Sequence, residues 1–280
     1  MKASAIAEIG KLELKIQLRS KWMIGFGMLF AVLVVGVSYY GLTFLGYEAE
    51  FQDFYRTTVT MLNLVLIIIP VVALVACGQS LSGDPGYFEF LASQPIGRTD
   101  ILLGKVAGLF VALTVITVFG FGLGGLMIAL KTNSEGIWKY FIFVGMSITL
   151  GLVFVSLSAM LSILANRRAM AIVTALVLWF FFLFIYDFIV LSASYYVEEA
   201  YLRKMLYFSL LGNPIDLARV VVLMSVGGEA ALGAAGAGLL RMFGGAVTSA
   251  ISAAALFAVW VAVPLGIAAL VFRRQDIDGK

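Results

Sequence analysis

The sequence predicts an all-α integral membrane protein with six transmembrane helices, and three observations carry that expectation. First, the 280 residues are 62% hydrophobic and only 12% charged, with a mean hydropathy of +1.05. Soluble domains carry about 25% charged residues, so this chain has too little polar surface to cover a soluble globule. Second, the apolar residues run in continuous blocks, not in the alternation of barrel strands. In hydrocarbon only helices and closed barrels satisfy the backbone. Third, the cations divide unevenly between the two sides that six crossings define.

Residues 1–22 read as an amino-terminal interfacial helix. Ala5, Ile9, Leu12 and Ile16 recur at helical spacing, and Lys11, Lys15 and Arg19 lie away from the centre of that face. The segment is either a charged flank that fixes orientation or a surface-lying helix that also touches a partner. The apolar run that follows, to about Leu45, is too long for a signal-peptide core and suits a full span. Spans are expected at 23–45, 58–79, 101–130, 138–163, 170–192 and 246–272, each near or above the roughly 20 residues that cross a bilayer. With the amino terminus inside, inner segments hold twelve Lys and Arg and outer segments seven. The positive-inside rule then places both termini in the cytoplasm of a multi-pass protein of the inner or plasma membrane. The whole chain, 1–280, forms one transmembrane domain, with a cytoplasmic loop at 80–100 and an extracytoplasmic segment at 193–245.

The 80–100 loop is the most structured polar interruption in the chain. Asp84 can cap a short helix and Pro85 suits its first turn. Tyr87, Phe88, Phe90 and Leu91 give that helix apolar bulk, Glu89 adds charge, and Pro95 with Gly97 ends it. Thr99 and Asp100 are placed to cap the next span. The loop is either a capped surface connection or a docking element whose aromatic anchors fit a groove in a cytoplasmic partner. Asn166-Arg167-Arg168, between spans four and five, is either a basic anchor or a second contact to that partner.

Residues 205–226 are long enough to span. However, Asn213-Pro214 breaks a helix midway, and Asp216 and Arg219 are costly in lipid. They read as an outer broken helix pair between spans five and six, partly re-entrant, tolerated where protein buries its backbone. The Gly- and Ala-rich residues 227–245 are a flexible connection or a helix packed through small side chains. Asp187 lies seventeen residues after Met170, roughly 25 Å along span five and near the outer boundary. It is either a wet interfacial carboxylate or a gate and partner for Arg203, Lys204 or Arg219. The hydroxyls within the spans bond their own backbone, glue helices together or line a polar path.

Several chemistries are excluded. The chain has no histidine and a single cysteine, Cys77, so bis-histidine haem, histidine-rich zinc or copper sites and intrachain disulfides are ruled out. No Gly-x-x-x-x-Gly-Lys-Ser/Thr motif occurs, so the chain is no P-loop ATPase, and Gly104-Lys105 lacks the rest of that pattern. No metal cluster or nucleophile–base pair of an enzyme is readable, and no nucleic-acid partner is expected. Without a nucleotide site or proton relay, a transporter of this kind needs an external motor.

The stretch Leu91-Ala-Ser-Gln-Pro-Ile-Gly-Arg-Thr-Asp-Ile-Leu-Leu-Gly-Lys105 resembles the leu-ser-x-pro-x-x-arg … leu-gly-lys run of ABC-2-type exporter permeases. Tyr186-Asp187 and Asn213-Pro214-Ile215-Asp216-Leu217-Ala218-Arg219 resemble motifs of the branch that serves maturation of nitrous oxide reductase. Ser82-Gly83-Asp84-Pro85-Gly86-Tyr87 stands where the family carries a glu-rich run ending in gly-thr. The resemblance implies that the short cytoplasmic helix is a coupling helix, with Asp84, Tyr87, Phe88, Glu89, Phe90 and Arg98 contacting an ABC ATPase subunit present in two copies. That partner would bind ATP and magnesium, and this chain no cofactor. It further implies a second copy of this chain and an extracytoplasmic β-helix partner. Asp187, Asn213, Pro214, Asp216 and Arg219 would form an outer gate or docking site. The expected function is that of the permease subunit of an ATP-driven exporter serving assembly of a copper–sulfur centre, with a sulfur species or copper as cargo. A generic exporter of another substrate, an autonomous ion-coupled carrier and a non-transporting scaffold are the alternatives.

Overall fold

The computed structural model describes residues 2–43, 50–81, 97–129, 134–165, 167–227 and 246–274. They form α1 (Lys2–Arg19), α2 (Lys21–Thr43), α3 (Glu50–Leu81), α4 (Arg98–Ala129) and α5 (Ser134–Leu164). Next comes α6 (Arg168–Phe180), which passes through a π-helical turn (Phe181–Ile185) into α7 (Tyr186–Ser194). The chain closes with α8 (Glu199–Gly212), α9 (Pro214–Gly227) and α10 (Ala246–Arg274). No strand occurs among the described residues.

Six of these stretches are long and apolar enough to cross a membrane: Lys21–Tyr40, Thr57–Leu81, Arg98–Leu126, Ile137–Leu164, Arg168–Ser194 and Ile251–Arg274. They fall where the hydropathy placed them. α8 and α9 meet at a bend of 114° on either side of Asn213, so the chain breaks where Asn-Pro predicts it. Asp84, Tyr87, Phe88, Glu89 and Phe90 of the expected coupling helix, Asn166 and the Gly/Ala-rich residues 228–245 lie outside the described residues.

α5 is the axis of the bundle. It packs against α3, α4, α6, α9 and α10, and Phe143, Leu150, Val153, Phe154 and Val155 are fully buried along it. Its far half meets an aromatic cluster in which Phe121 stands edge-on to both Phe30 and Phe143 at 5.2 Å. Tyr140 enters this cluster because its hydroxyl donates to the carbonyl of Phe121 at 2.6 Å. Several hydroxyls in the spans pair as small polar groups do in an apolar medium. Ser147, Thr149 and Ser156 donate to carbonyls one turn back, and Ser158 crosses to the Leu74 carbonyl on α3 at 2.8 Å.

One local expectation is corrected. α4 starts at Arg98, and the Gly97 carbonyl accepts from Asp100 and Ile101 N–H. Gly97 therefore takes the cap position, not Thr99 or Asp100. Asp100 lies in the first turn, where the helix dipole favours a carboxylate. On α1, Leu12 and Ile16 are exposed, in keeping with an apolar face turned to the membrane surface, while Ile9, Glu13 and Gln17 are buried. The buried face is set by a close crossing of α1 over α4. Gly104 and Gly108 stand one turn apart there, and a side chain on either would meet the α1 backbone at Ile6 or Gly10. Small residues at i and i+4 let two helix backbones touch.

This contact has a testable cost. A methyl at position 108 would fall against the Gly10 carbonyl and 2.8 Å from Glu13 Cβ, whereas nothing lies within 4 Å of one at position 122 on the same helix. Gly108→Ala is expected to lose about 1–3 kcal/mol by overpacking. Gly122→Ala should leave thermal unfolding in detergent unchanged or slightly raised.

Candidate functional site

Polar side chains gather at both ends of the apolar bundle. The far end, where α4 passes to α5, holds the residues expected at the outer gate. The near end holds a network that the sequence did not suggest.

At the far end the π-helical turn sets the geometry. The Tyr186 N–H bonds the carbonyl of Phe181, five residues back. The Phe182 carbonyl thus loses its α-helical donor and accepts from Asn213 Nδ2 at 2.8 Å. Such turns recur at functional sites because they redirect backbone groups. The other side of the amide, Asn213 Oδ1, accepts from Ile215 N–H at 3.0 Å and caps α9. Pro214 occupies the first position of α9, where its missing N–H costs nothing. Asn213 Nδ2 also donates to Asp216 Oδ2 at 2.7 Å. One fully buried amide therefore caps a helix, fills an orphaned carbonyl on span five and orients a carboxylate.

Arg219 completes the group. Its Nη1 donates to Asp216 Oδ1 at 2.9 Å within α9 and reaches Asp187 Oδ2 at 3.5 Å across to α7. Two carboxylates share one guanidinium in a partly wet cleft. Arg219 is 33% exposed, Asp187 42% and Asp216 16%. The link within α9 is short and the link between helices is long, so relative movement breaks the Asp187 contact first. Tyr186 donates to the Ser209 carbonyl at 2.6 Å and Trp260 Nε1 to the Leu211 carbonyl at 3.2 Å. These fix the end of α8 between spans five and six. Phe182 lies fourteen residues from Arg168 and Trp260 fourteen from Arg274. Both place the Asn213 tip roughly 21 Å along the bundle. At its other end α9 is held by Lys139, which donates to the Val226 carbonyl at 3.2 Å.

The near end is drier. Glu13 on α1 and Lys105 on α4 form an ion pair at 3.7 Å, with side chains only 3% and 4% exposed. Glu13 Oε1 accepts from Ser80 Oγ at 2.7 Å and from Gln17 Nε2 at 2.6 Å, and Lys105 Nζ donates to the Ser80 carbonyl at 2.8 Å. Ser80 ends the span before residues 82–96, and Lys105 lies in the first two turns of the span after them. Both flanks of that segment are thus tied to the amino-terminal helix. The Cys77 thiol, one turn before Ser80, donates to the Val155 carbonyl on α5 at 3.4 Å.

Of the residues expected at the outer site, Asp187, Asn213, Pro214, Asp216 and Arg219 come together. Arg98 is the first residue of α4. Sequence reading missed Glu13, Gln17, Ser80 and Lys105. The one available signal was the Gly104–Gly108 spacing beside Lys105, which marks a helix that admits a close neighbour. The π-helical turn had no signal, since it contains neither Pro nor Gly. Among the described residues no group of three or more Cys, Asp and Glu is placed to hold a metal.

Removing one member of a buried ion pair strands the other, so Lys105→Met is expected to destabilise by about 3–5 kcal/mol, and adding Glu13→Met should recover most of the loss. Asn213→Ala should cost about 2–4 kcal/mol, because a cap is lost and the Phe182 carbonyl is left unpaired. Thermal unfolding of the purified variants measures both.

The comparisons with known proteins agree with this architecture. The model of the ABC-2 family transporter proteins matches residues 7–277. A probable ABC transporter permease protein NosY of Pseudomonas aeruginosa is 32% identical, with 96% of this chain and 98% of the relative covered. A protein of the same description from Stutzerimonas stutzeri is 31% identical over 95% of this chain and 97% of its own length. A match along nearly the whole chain, on a helical bundle with six apolar spans, makes this protein a multi-pass membrane permease of the ABC-2 transporter family, similar to NosY.

Proposed function

We propose that this permease is the membrane subunit of an ATP-driven exporter that serves assembly of the copper–sulfur centre of nitrous oxide reductase. It works as two copies with two copies of a separate ATPase, which binds the ATP and magnesium, and with a β-helix protein on the extracytoplasmic side. Its place is the inner or plasma membrane with both termini in the cytoplasm, in keeping with the excess of cations on the inner segments. The cargo is a sulfur species or copper.

The similarity to the two NosY permeases supports the cargo, and the buried network that holds both flanks of residues 82–96 supports the coupling role. A segment with Tyr87, Phe88 and Phe90 as anchors and Asp84 and Glu89 as charged contacts, with Arg98 just beyond it, can deliver force only if its ends are fixed. Ser80, Glu13 and Lys105 fix them. Closure of the ATPase pair on ATP displaces this segment and with it the near ends of α3 and α4. α5, packed against both, passes the displacement to α9 and α10. At the far end the 3.5 Å contact between Arg219 and Asp187 gives way, while the shorter one within α9 persists. In this scheme Asn213 is the pivot and the Asp187–Arg219 link is the gate.

The chain is expected to co-purify with a P-loop ATPase from its native membrane. Phe88→Ala and Glu89→Lys should each lower permease-stimulated ATP hydrolysis by roughly tenfold or more, as loss of an interface anchor does. Failure of both effects would sink the coupling role. Deletion of the gene should leave nitrous oxide reductase without its copper–sulfur centre, and Arg219→Met should reproduce the defect. A reductase that matures normally in the deletion strain would instead mark an exporter of another cargo.

A further inference from the structure

We propose that the amino-terminal helix α1 is a moving part of the coupling machinery, with Glu13 and Lys105 as the positioning residues that make it travel with α4. The inference rests on the reading of residues 82–96 as the docking segment.

Two independent contacts argue that α1 and α4 move as one body. The first is the glycine crossing. Gly10 of α1 lies against Gly104 and Gly108 of α4 with backbone facing backbone. Only Ile9 and the stem of Glu13 pack into the crossing, directly on Gly104 and Gly108, so little play remains for a shear. The second is the buried pair. Glu13 and Lys105 are almost fully enclosed, so sliding one helix past the other strands a charge in an apolar setting. Ser80 adds α3 to this clamp, through its hydroxyl to Glu13 and its carbonyl to Lys105. A displacement between residues 81 and 97 therefore cannot move the start of α4 without moving α1.

The opposite side of α1 is built for motion along a membrane surface. Leu12 and Ile16 are exposed, and Lys11, Lys15 and Arg19 continue that side. Apolar residues flanked by cations rest at the headgroup level. α1 is thus tied tightly to α4 and, through Ser80, to α3.

Hydrogen exchange tests this on the complex of the full chain with its ATPase in lipid nanodiscs, with and without ATP trapped by a hydrolysis-deficient ATPase. Trapped ATP should change exchange by twofold or more both in peptides from residues 82–96 and in peptides from α1. In Glu13→Met/Lys105→Met the response at 82–96 should persist and the response in α1 should fall to half or less, with most of the wild-type thermal stability kept. A merely structural pair would not separate the two responses. If the double variant does not fold, Glu13→Gln/Lys105→Met serves in its place, and the wild-type comparison needs no variant. A response at 82–96 with α1 silent overturns this inference alone, as does a variant whose α1 responds as fully as the wild type. Silence at 82–96 itself overturns the docking role, and this inference with it.

Discussion

Hydrocarbon offers no water to a buried polar group, and this constraint shapes the contacts that join the helices. Ser38, Ser147, Ser156 and Ser225 turn back onto their own helices. Ser158, Cys77 and Tyr140 reach across to a neighbouring helix, so the same requirement also holds spans together. The ionisable groups obey it most strictly. Lys105 could not occupy the core of a bundle alone, and it meets a carboxylate and a carbonyl there. That need for a partner draws α1, α3 and α4 together at the near end.

The two ends meet the constraint in different ways. At the near end a single ion pair is enclosed, hydrogen-bonded on both sides and backed by a glycine contact. Such an arrangement resists being opened, which suits an element that transmits force. At the far end Asp187, Asp216 and Arg219 share a partly exposed cleft, and water can replace the long contact between Arg219 and Asp187. Surface-exposed pairs are worth little, so this junction can open at small cost. Between them α5 gives a stiff, well-packed path. The rigid buried end faces the proposed motor and the yielding wet end faces the proposed exit.

Much of the candidate site was legible because its chemistry is local. Asn213-Pro214 predicts a break from two neighbouring residues. Asp216 and Arg219 then share a face because they are three apart. Pairing Asp187 with Arg219 was one of three open choices, since Arg203 and Lys204 also lay in range along the chain. The burial of Glu13 and Gln17 on α1 was missed for a related reason. Helical spacing finds the apolar stripe, but here that stripe faces outward and the buried face carries Glu13 and Gln17. Periodicity assumes that a buried face is apolar, and a buried ion pair breaks that assumption.

The sequence by itself determined the membrane class, the six apolar spans, the broken pair at Asn213 and the absence of a nucleotide motif. Each follows from composition, run length or a contiguous motif, and none needs knowledge of which helices touch. Only the tertiary structure decided that Glu13 meets Lys105 across 92 positions, that Ser80 closes this network and that a π-helical turn frees the Phe182 carbonyl for Asn213. Those contacts depend on helix order and rotation within the bundle. Residues so far apart in sequence are brought together by the packing of the whole bundle, not by local propensity.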